Sequence, residues 1–190
     1  LCISRHEFDP YHEQLEEKML SALERSLEGI LLRAVPMLGS RGLSGQFDKV
    51  VVTLSSPWTV SKFSHRILDE EGEFVFDHDL TQHLVHETKS EVEKELQELF
   101  DAYAFESALT SLELNGYKAH SGHLPANTKR AKAGVMVSLS SKGLLDRLKD
   151  EVYKKFGHKQ NFRIESVPKS SITSLSHLFN PHKKTLLVYF

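Results

Sequence analysis

"KVVVTLSSPWTVSKFSHRIL", Lys49 to Leu68, opens with a run of β-branched residues, breaks at Pro57-Trp58, and resumes at Val60. Val, Thr and Phe fit a pleated, half-buried surface, so this stretch predicts two strands, the second running from Val60 to Leu68. In that second strand Phe63 and Ile67 share a parity with Ser61 and His65, so its faces are mixed rather than cleanly divided. The continuation "DEEGEFVF" predicts a turn at Glu71-Gly72 and a short strand at Phe74 to Phe76, giving a small antiparallel unit. A helix should start near Asp77 or Asp79, because Leu80, Leu84, Thr88, Val92, Leu96 and Leu99 fall on one face, with Lys89 and Glu93 spaced to support it.

Downstream, "ALTSLEL" alternates into Asn115-Gly116, the dipeptide best suited to positive φ, and then Tyr117. Hydrophilic residues to Lys132 read as a loop, and "AGVMVSLSS" as the next strand. Ser141 can cap a helix carrying Leu144, Leu148, Val152 and Phe156, and Gly157 stands where a C-terminal glycine belongs. "FRIESV" reads as a strand closed by Pro168, Ser170 or Ser171 as the cap of a short helix to Phe179, and "KTLLVYF" as a last, fully apolar strand. Upstream, Asp9-Pro10 should open an amphipathic helix with Leu15, Met19, Leu23, Leu27 and Ile30 on its face, ending before Pro36. The glycine- and serine-rich Met37 to Gln46 reads as a flexible loop. The order is helix, three strands, helix, two strands, helix, strand, helix, strand. A chain that starts at Leu1 and stops inside a core-type strand is expected to be an internal fragment of a larger protein.

With 24 Lys plus Arg against 26 Asp plus Glu, the chain has no basic stripe, which weighs against nucleic acid as a partner. The single cysteine, Cys2, excludes an internal disulfide framework and fits a cytoplasmic setting. No stretch reaches the length of a membrane span.

Eleven histidines raise the question of a metal. His83 and His86 share a helix face with Glu87 nearby, but "HLVHE" is neither H-E-x-x-H nor H-x-x-E-H. His120 and His123 would complete a ligand set only if their loop folded back. The serines at strand ends, Ser55, Ser56, Ser138, Ser140 and Ser141, lie in no G-x-S-x-G motif and read as caps and turns. Neither G-x-x-x-x-G-K-[ST] nor G-x-G-x-x-G occurs, so no catalytic, cofactor-binding or metal residue is assigned. Trp58, Phe63 and Tyr117, large rings at strand ends and on the mixed strand, are the candidate protein-binding residues, Trp58 standing either as an exposed contact anchor or folded over a core edge.

The strand "KVVVTLSSPW", the strand "SKFSHRIL" and the helix from "DHDLTQHL" resemble the inserted SHS2 subdomain of bacterial actin-like ATPases. That family includes the cell-division protein FtsA and the pilus-assembly protein PilM. The likeness continues through "LNGY", "VMVSLSS", "GLLDRLKDEVYKKF", "FRIESVPKSSITSLSHLF" and "KTLLVYF". The resemblance implies an α+β fold: a small antiparallel sheet with a long helix, residues 49–140, inserted into part of an actin-like, ribonuclease H-like lobe made from residues 1–48 and 141–190. In the family the phosphate loops precede the first helix and follow the last strand, so both would lie outside this chain. ATP and Mg are then expected only in a full-length parent, with no cofactor held here. The implied function is a protein-interaction and assembly module of the division or type IV pilus type, at the inner face of the membrane through its parent or a partner. A metal-dependent enzyme using His83 and His86, and a stand-alone protein-binding domain, remain the alternatives.

Overall fold

A computed structural model describes residues 14–42, 49–98, 101–157 and 161–178. The protein is α+β. In chain order the elements are α1 (Leu15–Gly39), β1 (Lys49–Leu54), β2 (Val60–Phe76), α2 (His78–Gln97), β3 (Ala102–Leu114), β4 (Tyr117–Ala119), β5 (Ala126–Ser141), α3 (Lys142–Phe156), β6 (Asn161–Ser166) and α4 (Val167–Leu178). A single 3-10 turn at Ser121–His123 joins β4 to β5. Contacts divide the chain into two units, with the boundaries at Val52/Thr53, Ser141/Lys142 and Arg163/Ile164. β1 and β6 form a two-stranded sheet. The predicted opening of α1 at Asp9-Pro10, Leu99 and the strand at Lys184 to Phe190 lie outside the described residues.

In the first unit α1 packs against α3. The four-residue repeat expected of α3 is its buried face, Leu144, Leu148 and Val152, joined by Leu145, and α1 buries Met19, Leu20, Ala22, Leu27 and Ala34. Ion pairs flank this contact: Arg147 reaches Glu16 and Glu17, each at 2.7 Å, and Lys155 reaches Glu28 at 2.6 Å and Glu24 at 3.2 Å. α1 does not stop before Pro36 but carries it and ends at Gly39. A proline this near the end removes one amide while the last turn still closes, the Ser40 amide donating to the Pro36 carbonyl at 2.9 Å. Met37 to Gly39 are therefore helical rather than loop. Gly157, at φ 82°, ends α3 by donating its amide to the Tyr153 carbonyl at 2.8 Å, as its position in the sequence predicts.

The second unit is built on a four-stranded antiparallel sheet in the order β2-β5-β3-β4. β5 is central and nearly all buried from Ala131 to Ser140. Its alternate residues Ala131, Ala133, Val135, Val137 and Leu139 form the core face with Ala102, Ala104 and Leu112 of β3 and Leu84 and Val92 of α2. α2 lies on that face, and its N-terminus is the predicted one: the Asp77 carboxylate accepts the Leu80 amide at 2.8 Å.

Three strand predictions needed revision. β2 runs unbroken through Glu71-Gly72, staying paired with β5 at both ends across a register shift between Asp69 and Phe74. The acidic "DEEGE" makes an irregularity in one strand rather than a hairpin, because β5 is long enough to partner both halves. β5 also begins at Ala126, inside the expected loop, and β3 at Ala102. β3 carries two register shifts, at Ala104/Glu106 and Leu109/Ser111, which break simple alternation and hid its first half from a period-two search. α4 starts at Val167, with Pro168 in its first turn and Ser166 as the residue before it, so neither Ser170 nor Ser171 is the cap.

Candidate interaction surface

The register fixes which way each β2 side chain points. Val60, Lys62, Ser64, Arg66 and Leu68 stand opposite Leu139, Val137, Val135, Ala133 and Ala131, on the α2 face; Ser61, Phe63, His65 and Ile67 point to the other face. On the α2 face both basic residues are engaged by the helix. Lys62 Nζ meets Glu95 at 2.7 and 2.5 Å, Arg66 pairs with Glu91, and Arg66 Nε donates to Thr88 Oγ1 at 3.0 Å. Thr88, wholly buried, donates its own hydroxyl to the Leu84 carbonyl at 2.7 Å, which explains a polar residue on an otherwise apolar stripe.

The opposite face mixes the two: Met136 is fully buried there, and two buried serines join it. Ser138 and Ser140 are buried; Ser138 shares a hydrogen bond with Ser61 at 2.8 Å, and Ser140 Oγ donates to the Trp58 carbonyl at 2.7 Å. Glu106, 5% exposed, points to the same face and holds the start of α4. Its Oε2 accepts the Ser166 hydroxyl at 2.5 Å and the Ser166 amide at 3.2 Å, while Lys169 Nζ lies 3.2 Å from Oε1. Beside this anchor lies a shallow groove of about 470 Å³, bounded by Ser55, Ser56, Thr59, Phe63, Val167 and Pro168.

Phe63 and Ile67 are 52% and 56% exposed on this face. They sit on the sheet's outermost strand, whose second side has no strand partner among the described residues. Trp58 is half-buried in the turn before β2, its amide donating to the Ser55 carbonyl at 2.9 Å. Tyr117, 79% exposed, belongs elsewhere: it opens β4 at the other edge, opposite Leu114 and therefore on the α2 side. Of the three candidate residues, Trp58 and Phe63 share one end of β2, and Tyr117 does not join them.

Tyr117 follows a tight turn with Asn115 at φ 50° and Gly116 at φ 82°, as the dipeptide predicts. Asn115 Oδ1 also accepts from Thr128 Oγ1 at 2.9 Å, Lys129 N at 3.0 Å and Arg130 N at 3.2 Å, tying the hairpin to β5. The candidate ligands His83, His86, His120 and His123 do not converge as one set. His83 Nε2 pairs with Glu87 at 3.1 Å on an exposed helix face, and the rings of His120 and His123 stack with centroids 3.6 Å apart. Among the described residues no three His, Cys, Asp or Glu side chains are placed to hold one metal ion. Nor is any described helix long and apolar enough to cross a membrane.

The sequence matches no model of a known family, and no curated protein matches it at a significant level. Glu106 is the residue that sequence reasoning missed. A lone glutamate in a β run invites a solvent-facing reading, and only the register shift beside it signals otherwise.

Proposed function

We propose that this chain is a protein-interaction and assembly module of an actin-like ATPase of the cell-division or type IV pilus type, working on the cytoplasmic side at the inner face of the membrane. The observation that carries the reading is the outer edge of β2, a long strand with Phe63 and Ile67 exposed beside a groove. An open strand edge gives main-chain hydrogen bonds to a partner, and adjacent apolar side chains give it specificity. A small sheet backed by one long helix accords with the resemblance to the SHS2 subdomain. ATP and Mg belong to the parent protein, and no nucleic acid is involved.

The test is a photo-crosslinking residue at Phe63 in the parent protein in cells, with Tyr117 as a second position. Adducts at Phe63 with a division protein, a pilus protein or the parent itself are expected. Absence of any adduct there, or stoichiometric zinc binding with hydrolytic activity in the purified chain, overturns the proposal.

A further inference from the structure

We propose that the β2 edge receives a second copy of this chain, in an antiparallel β2–β2 pair with His65 on the two-fold axis. The inference rests on the interaction-module reading and names its partner.

The two edges of the sheet differ. β4 is three residues long, and a very short edge strand offers little template. β2 is 17 residues long. Its distal part is guarded by the register shift and the exposed acids Asp69, Glu70, Glu71 and Glu73. Its proximal part, Val60 to Leu68, has only Lys62 and Arg66 as charges, and Glu95, Glu91 and Thr88 already engage both. The repulsion that usually protects an edge is thus cancelled from within the same molecule.

Charge and shape then select the register. A two-fold pairing is isologous, so a centre on residue c sets each residue i opposite 2c − i of the second copy. Centring on Ser64 sets Lys62 against Arg66, and centring on Arg66 sets that guanidinium against its own copy; like charges directly opposite are destabilising. Centring on Ile67 leaves Phe63 against Glu71. Centring on His65 sets Phe63 against Ile67 twice, pairing the exposed apolar side chains of that face in both copies, and sets Ser64 against Arg66. It brings no like charges face to face between Lys62 and Leu68.

The 190-residue chain, 21.6 kDa, should therefore scatter light as a dimer, and Ile67→Glu should weaken association by about tenfold or more. His65→Lys, which sets two ammonium groups together, should do the same. In a Cys2→Ser background, His65→Cys should give a covalent dimer on mild oxidation, and Ser64→Cys or Ile67→Cys should give far less. A monomer at every concentration, a dimer indifferent to Ile67→Glu, or a covalent dimer strongest at Ile67→Cys overturns the proposal. A monomer whose Phe63 still crosslinks to a different protein in cells overturns the second-copy inference and leaves the module reading standing; no adduct with any protein defeats both.

Discussion

Glu106 in the middle of β3 holds Ser166 at the entry to α4, through the serine hydroxyl at 2.5 Å and its amide at 3.2 Å. Ser166 Oγ in turn accepts the Lys169 amide at 3.3 Å, so a single hydroxyl joins sheet and helix. The carboxylate completes an N-terminus that favours negative charge, with Lys169 as its counter-ion. Glu106→Ala should cost about 2–4 kcal/mol, because it removes one partner of a buried pair. Ser166→Ala should cost about 1–2 kcal/mol as a lost cap. Urea unfolding of both variants and of the double variant should show strong non-additivity; costs that simply add would deny the coupling.

Asn115 combines a left-handed backbone with three accepted hydrogen bonds on one oxygen. Asn115→Asp should be nearly neutral, since it keeps the acceptor and tolerates positive φ. Asn115→Ala should cost about 2–3 kcal/mol, combining backbone strain with orphaned donors. Equal melting temperatures for the two variants would remove the acceptor from the explanation.

Gly134 faces the second register shift of β3, and a methyl group there would stand 2.3 Å from Ser111 Oγ. Gly134→Ala should cost about 1–3 kcal/mol as overpacking. Adding Ser111→Ala should recover part of that loss, since the nearest atom goes while Thr110 Oγ1 stays at a tight 3.2 Å and Ser111 Cβ at an ordinary 3.5 Å. Thermal unfolding of the single and double variants decides it.

Lys155 is held above its ordinary value of 10.5, first by its hydrogen bond to Glu28 and next by that to Glu24. Arg147 is likewise raised, chiefly by its hydrogen bond to Glu17. A group whose folded value is raised adds stability that is present below the ordinary value and lost as pH climbs through the folded one. On the alkaline side the α1–α3 contact should therefore hold up to about pH 10.5 and weaken above it. In Lys155→Met that alkaline decline should be shallower, measured as unfolding free energy against pH; an unchanged slope would assign the decline to other groups.

Much of this architecture was legible in the chain itself. α2 and α3 declare themselves because their apolar residues recur near every fourth position while the positions midway, Gln82, His86, Ser90 and Lys94 in α2 and Asp146, Asp150 and Lys154 in α3, are polar, where one face of a strand would stay apolar at every second residue. Asn115-Gly116 fixes its turn because few other dipeptides accept two positive φ angles. Strand limits were less legible. The acids of β2 look like a turn when read locally, and nothing near them reveals that β5 extends far enough to hold both halves.

The sequence by itself determined the presence of the helices and the tight turn, because these depend on neighbours a few positions away. Only the tertiary structure decided the direction of Glu106, the separation of Tyr117 from Phe63, and the engagement of Lys62 and Arg66 by α2. Each depends on strand register, and a one-residue shift moves a side chain to the other face of the sheet.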